Sequence, residues 1–195
     1  MTGIYTMQGK MIACKTLILA SGAWASQCGT WLHATLPIHP LHGQLISLSQ
    51  TSQRLKHIVF GEAAYLTPRG NTILVGATKE EMGFDLTVTD EGTSWLYATA
   101  TRLIPALTQS TIQFAWAGLR PKTPDSHPIL GFLSPWENVI VAAGHNSVGI
   151  ILSAITGQCI AKMVTTGQTP SLIQPFSADR FSGSETLTSS PHSAG

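Results

Sequence analysis

Several signatures are missing from this 195-residue chain, and each absence removes a class of function. No G-x-x-x-x-G-K-[ST], G-x-S-x-G or H-E-x-x-H occurs, which excludes a phosphate-cradling P-loop, a hydrolase nucleophile elbow and a helical zinc protease site. G-x-G-x-x-G, the turn that receives the pyrophosphate of a dinucleotide, is absent as well. Charge is scarce at 11% of residues and nearly balanced at +1, so there is no electrostatic footprint for nucleic acid or an anionic membrane. The three cysteines, Cys14, Cys28 and Cys159, form no CxxC pair or disulfide framework and read as buried reduced thiols. His39, His42 and His57 lack the companion carboxylates of a metal site, so no metal is expected. The N-terminal MTGIYTMQGKM has no apolar h-region, and no unbroken run of about 18 apolar residues exists. No membrane partner is expected, and a cytoplasmic location is the default.

What is present is 43% hydrophobic residues with 18 Gly and 11 Pro, the texture of a folded, loop-rich protein. Ile4–Met7 and Met11–Ala13 flank Gly9 as a short hairpin. Thr16–Ala20 (TLILA) and Val139–Ala143 (VIVAA) are continuous apolar runs, which suit strands covered on both faces. Each is followed by a helix, over 23–32 and about 149–164. Between them lie Gly- and Pro-punctuated runs at 44–48, 57–60, 64–67 and 72–75, with a turn at Pro68-Arg69-Gly70-Asn71, which predict antiparallel sheet. A helix over 87–107 has Thr89 or Asp90 as its cap and Leu96, Ala100, Leu103 and Leu107 on one face. Thr111–Leu119 returns to strand. After Thr165 the composition turns to Ser, Thr, Pro and Gly, and 182–195 reads as a disordered tail.

Three segments could carry chemistry. In VIVAAGHNSVGII, Gly144 and Gly149 bracket the entry to a helix whose unpaired N–H groups favour an anion. Taken alone, the segment reads first as an ordinary strand-to-helix turn that needs Gly to bend, with His145 as a turn-stabilising side chain. Arg120 ends an apolar strand just before Pro121. There its planar fork could grip a carboxylate, or it could form a structural ion pair with Asp125. Tyr65, on a candidate strand, could complete a carboxylate site or simply pack.

Taken together, LASGAW (19–24), HGQ (42–44), AYLTPR (64–69), LVGAT (74–78), FAWAGLRPKTPD (114–125), PILG (128–131), AAGH (142–145) with GII (149–151), and Arg180-Phe181 resemble the D-amino-acid oxidase superfamily of FAD-dependent oxidoreductases. The branch resembled is that of glycine oxidase, which oxidises glycine to its imine for thiamine synthesis. The resemblance implies the C-terminal half of such a protein: part of a Rossmann-like FAD-binding α/β domain (1–36 and 138–166) interleaved with an α+β substrate domain of antiparallel sheet and covering helix (37–137). A C-terminal extension (167–195) follows. It further implies FAD contacts from Gly22, Ala23 and Trp24, from Gly43 and Gln44, and from Gly144, His145, Asn146, Ser147, Val148, Gly149, Ile150 and Ile151. Arg120 would bind the substrate carboxylate and Tyr65 would assist, with no side chain as obligatory base and no catalytic side chain named.

The expected activity is oxidation of the amine of a small amino acid, giving an imine and hydrogen peroxide. The expected partner is a missing N-terminal half or a complementary subunit. The alternatives are a non-catalytic or partner-dependent subunit, or a related FAD-dependent amino-acid dehydrogenase. Glycine oxidases often carry an arginine after the AGH turn. Ser147 cannot supply that second cation, which weakens the case for strict glycine specificity.

Overall fold

The computed structural model describes residues 1–50 and 54–182; most of the expected C-terminal tail, 183–195, lies outside them. In chain order the elements are β1 (Gly3–Tyr5), β2 (Met11–Ala13), β3 (Leu17–Leu19), α1 (Ala25–Leu32), β4 (His39–Ser49), β5 (Val59–Phe60), β6 (Tyr65–Arg69), β7 (Thr72–Gly76), α2 (Asp90–Leu103), β8 (Ile112–Lys122), β9 (Ile129–Phe132), β10 (Val139–Ala143) and α3 (Gly149–Thr166). Short 3-10 turns occupy Gly22–Trp24, Pro105–Gln109, Ser171–Phe176 and Ala178–Phe181. The chain divides into two compact units, Pro40–Arg120 and the flanking chain on either side of it.

In the flanking unit, β1 and β2 form the hairpin, closed where the Gly9 N–H donates to the Thr6 carbonyl at 2.9 Å. The two apolar runs pair directly: β3 lies parallel to β10, with Leu17, Ile18 and Leu19 opposite Val139, Ile140 and Val141. The sheet order β3-β10-β9 puts β10 in the centre, which explains its unbroken hydrophobicity. Val139, Val141 and Ala143 pack on one face with Leu19, Ala25, Leu32 and Ile129. Ile140 packs on the other with Leu130, Cys159, Ile160 and Met163, the last three from α3. Burying one such side chain contributes roughly 1.5–3 kcal/mol, and a strand buried on both faces has no polar positions to spare. Asn138 ties the N-terminus to this sheet, its Nδ2 donating to the Met1 and Lys15 carbonyls at 2.6 and 2.8 Å.

The division at 39/40 and 120/121 differs from the 36/37 and 137/138 read from sequence. Residues 121–137 belong with the flanking unit because β9 pairs antiparallel with β10, and Ile129 and Leu130 are buried on opposite faces of that sheet. Residues 167–182 are also more structured than an extension: Ile173 and Ala178 are buried in 3-10 turns. Of the cysteines only Cys159 is buried; Cys14 and Cys28 are partly exposed, and all three are free. α3 is long and apolar enough to cross a membrane by length and composition, with 22% of it buried. Ile150 and Ile151 near its start are 92% and 81% exposed.

The inserted unit is a five-stranded sheet in the order β5-β6-β7-β4-β8. β6 and β7 form a tight hairpin, Arg69 opposite Thr72. The turn therefore narrows to Gly70-Asn71, where Gly70 takes φ +59°, and Pro68 lies within the strand. The core of this unit is Ile46, Leu48, Leu66, Ile73 and Val75 from the sheet with Leu96, Ala100 and Leu107 from the covering helix and turn. α2 is shorter than the span read from sequence. Thr89 caps it, accepting the Gly92 N–H at 3.1 Å, and Pro105, with no N–H to give, opens a 3-10 turn after it. The edge strand β8 is exposed on both faces from Ile112 to Trp116.

Candidate functional site

In the inserted unit Arg120 is partly buried at the end of β8. Its Nη1 donates to the carbonyls of His42 (3.4 Å) and Thr78 (3.2 Å). No carboxylate pairs with it among the described residues, so the ion pair with Asp125 considered above is not formed. Burial lowers the guanidinium's pKa, and an electrostatic interaction with Tyr65 works against this, which places the two expected substrate residues within electrostatic reach of each other. The guanidinium remains a cation. Among the described residues its Nε and Nη2 donors have no acceptor, an arrangement that suits a bidentate anion. The Tyr65 hydroxyl also has no hydrogen-bond partner among the described residues.

Gly43 and Gln44, implied as flavin neighbours, have other contacts here. The Arg120 guanidinium lies against the Cα of Gly43. The Gln44 side chain is consumed within the unit: Nε2 donates to Glu80 (3.1 and 3.2 Å) and to Thr89 Oγ1 (3.0 Å), and Oε1 accepts the Thr89 N–H at 2.8 Å. Glu80 also accepts from Thr78 Oγ1 at 2.7 Å and from the buried His42 Nδ1 at 2.8 Å. Burial works to raise the Glu80 pKa, but the hydrogen bonds from Gln44, Thr78 and His42 outweigh it and hold the carboxyl below its ordinary value. His42 Nε2 is buried without a partner among the described residues. This network anchors the N-terminus of α2 to β4, and Gly92 is part of it, since a side chain there would collide with the Gln44 amide.

In the flanking unit the other implied cofactor residues come together. β3 and β10 are parallel neighbours, so their carboxyl ends lie side by side, where open α/β sheets bind ligands. β3 runs into Gly22 (φ +57°) and the Gly22–Trp24 turn; β10 runs into Gly144 (φ +81°). Asn146 adopts φ +51° and donates its N–H to the Pro121 carbonyl at 3.0 Å. His145 is part-buried, its Nε2 3.1 Å from Thr156 Oγ1, and burial lowers its pKa, so the ring is neutral at pH 7. α3 begins after Val148 with no side-chain cap and no acidic residue in its first turn. Its first N–H groups and partial positive charge therefore have no side-chain cap or first-turn carboxylate against them among the described residues. This donor set fits the electron-rich pyrimidine end of a flavin. Ser147 and Val148 are exposed beside it, and Trp24 is 46% exposed at the neighbouring turn. A cavity of about 250 Å³ opens beside Thr78, Glu80 and Trp95 in the inserted unit, and one of about 330 Å³ beside Val148, Leu152 and Phe176 in the flanking unit.

One interaction escaped the sequence reading. Arg180 grips Asp125 through Nε (2.8 Å) and Nη2 (3.2 Å). The two are 55 residues apart, and the sequence offered Asp125 as a mate for Arg120, not for Arg180.

An open α/β layer with two glycine turns at the carboxyl ends of adjacent strands, joined in one chain to an antiparallel sheet bearing an unpaired arginine, defines a two-unit flavoprotein architecture. The chain belongs to the FAD-dependent oxidoreductase family, whose model matches residues 2–163. It is 37% identical over 184 residues to the hydrogen cyanide synthase subunit HcnC of Pseudomonas protegens, covering 92% of this chain and 44% of that protein. It is 36% identical over 186 residues to the bifunctional protein ThiO/ThiG of Synechocystis, covering 92% of this chain and 27% of that one. The crystal structure of glycine oxidase from Geobacillus kaustophilus superposes with a TM-score of 0.81 at 33% identity, covering 87% of this chain and 46% of that one. The chain thus spans less than half the length of these relatives.

Proposed function

We propose that this chain is the C-terminal part of an FAD-dependent oxidoreductase that oxidises the amine of a small amino acid, as glycine oxidase does, with dioxygen as the final electron acceptor and imine and hydrogen peroxide as products. The observation that carries the substrate class is Arg120: a partly buried guanidinium with two backbone carbonyls as its partners and, among the described residues, no counter-charge. Such a group is stabilised by a carboxylate ligand, and Tyr65 offers a free hydroxyl in the same unit. The turns at Gly22–Trp24 and Gly144–Ile151 hold the cofactor. Bound FAD supplies the two-electron acceptor that no side chain here provides. The chain's own residues bind and orient. Arg120 and Tyr65 fix the carboxylate, so that the α-carbon is presented in one pose, and the first N–H groups of α3 stabilise negative charge placed against them. With Ser147 where a second cation is often found, Arg120 is the cation that the carboxylate meets, with Tyr65 as its neutral helper, and strict glycine specificity is not expected.

A partner-dependent reading has its own support. The relative HcnC is named as a subunit. The β3 edge of one sheet and the β8 edge of the other carry no further strand among the described residues. Exposed Ile112, Phe114 and Trp116 on β8 make a surface that unpaired sheet edges seldom leave open to water. The occupant is the remainder of the relatives' fold, in the same polypeptide or in a complementary subunit.

The test is turnover of glycine, sarcosine and alanine by the complete flavoprotein, following peroxide and the released amine or ammonia. Amino-acid-dependent peroxide supports the proposal; oxidation only of substrates lacking a carboxylate contradicts it.

A further inference from the structure

We infer that Gly43 is the positioning residue of the carboxylate anchor, seating the Arg120 guanidinium, and that Gly76 seats Tyr65 in the same way; this rests on the reading of Arg120 given above. Glycine is required at a position for one of two reasons, backbone conformation or space. Gly70, Gly83 and Gly167 illustrate the first: each has φ between +59° and +70°, and nothing lies within 4 Å of where a Cβ would stand. Gly43 and Gly76 are the reverse. Neither has a positive φ, both are buried strand residues, and a Cβ on either would overlap its neighbours.

At Gly43 the overlap is with the guanidinium itself: a Cβ would stand 2.5 Å from Nη2 and 2.6 Å from Cζ, and closer still to Nη1. The planar group lies across the bare Cα, held by the His42 carbonyl next in sequence and the Thr78 carbonyl just after β7. Those two bonds use the Nη1 protons and leave the Nε and Nη2 edge to a ligand. A methyl group at 43 would lift the guanidinium off both carbonyls and turn that edge away. Because the displaced atoms are the far end of a flexible side chain, the strand can tolerate the change while the anchor moves. At Gly76 a Cβ would stand 2.8 and 2.9 Å from Tyr65 Oη and Cζ and 3.1 Å from Leu45 Cδ2. A rigid ring has less freedom to yield, so this seat is the less forgiving of the two.

The experiment is a double-mutant cycle, Gly43→Ala with Arg120→Ala, in the holoenzyme. It is read by melting temperature and by KM for glycine and for a primary amine without a carboxylate. Gly43→Ala alone should raise KM for glycine roughly ten- to a hundredfold, the loss expected when a charge-assisted pair is misaligned. KM for the amine should be unchanged. In the Arg120→Ala background, where no guanidinium remains to collide, Gly43→Ala should change neither KM nor melting temperature further. An unchanged KM for glycine, or an equal fall in melting temperature in both backgrounds, overturns the inference. If Arg120→Ala itself weakens both substrates alike, the reading of Arg120 as carboxylate anchor fails, while the melting-temperature arm still decides whether Gly43 seats the guanidinium.

Discussion

Two arginines in this chain are held in opposite ways. A guanidinium has five N–H donors, and Arg180 uses all five: Nε and Nη2 on Asp125, Nη2 on the His127 carbonyl, and Nη1 on the carbonyls of Phe176 and Ser177. Its Cζ also sits 4.3 Å from the centre of the Phe181 ring. Among the described residues Arg120 uses only the two donors of Nη1, and no carboxylate is among its partners. A saturated cation is a structural clasp, here closing the C-terminal turns onto the loop after β8. A partly buried cation with three donors free and no counter-charge is costly to maintain unless a ligand completes it. The family resemblance points to both segments, but the hydrogen-bond inventory is what separates the anchor from the clasp.

Exchanging one side chain at each site gives the sharpest contrast. Arg120→Met should lower kcat/KM for glycine roughly a hundredfold, from the loss of a charge-assisted pair, and leave the melting temperature nearly unchanged. Arg180→Met should do the opposite, leaving KM untouched and removing about 1–2 kcal/mol of stability, since Asp125 is partly open to solvent screening. In a protein of this size that is a fall of roughly 2–8 °C. If Arg180→Met changes KM selectively, or Arg120→Met mainly unfolds the protein, the distinction collapses.

The clasp also carries a pH signature. Hydrogen bonds from Arg180 hold the Asp125 carboxyl well below the usual carboxylate range, with burial opposing and the His127 N–H assisting. A depressed folded-state pKa means that the stabilisation is complete above the unfolded value near pH 4 and is lost progressively as pH falls below it. Asp125→Asn should flatten that part of the stability–pH curve, measured by melting temperature between about pH 5 and 2; an unaltered curve would show that other carboxylates govern acid unfolding. The smallest effect is at Thr89. Replacing it with alanine removes the cap of α2 and one partner of Gln44, for about 1 kcal/mol. Circular dichroism melts would detect it, and a loss well beyond this would mean that the Gln44–Glu80 network depends on Thr89 more than the cap alone accounts for.

The parts of this architecture legible in sequence are those whose signal is local. TLILA and VIVAA read as doubly covered strands because burial on both faces leaves no polar alternation, and they pair in parallel as that pattern suggests. Thr89 was recognisable as a cap from its place before an apolar face. β9 was not, because four residues after a proline are too few to show a period. The wiring around the site was illegible for a different reason. His42 and Glu80 are 38 residues apart and Gln44 and Thr89 are 45 apart, and nothing in either local sequence specifies the partner. Asp125 was a reasonable mate for Arg120 on proximity alone. It is taken by Arg180, and with that the choice between ion pair and ligand anchor at Arg120 becomes decidable.

That choice is tested most directly by Arg120→Lys in the complete flavoprotein, with KM measured for glycine and for a primary amine lacking a carboxylate. Lysine keeps the charge and loses the planar fork. The account predicts KM for glycine raised about ten- to a hundredfold, with KM for the amine unchanged. Equal losses on the two substrates would contradict it, and Arg120 would then be a structural residue and not the group that recognises the carboxylate.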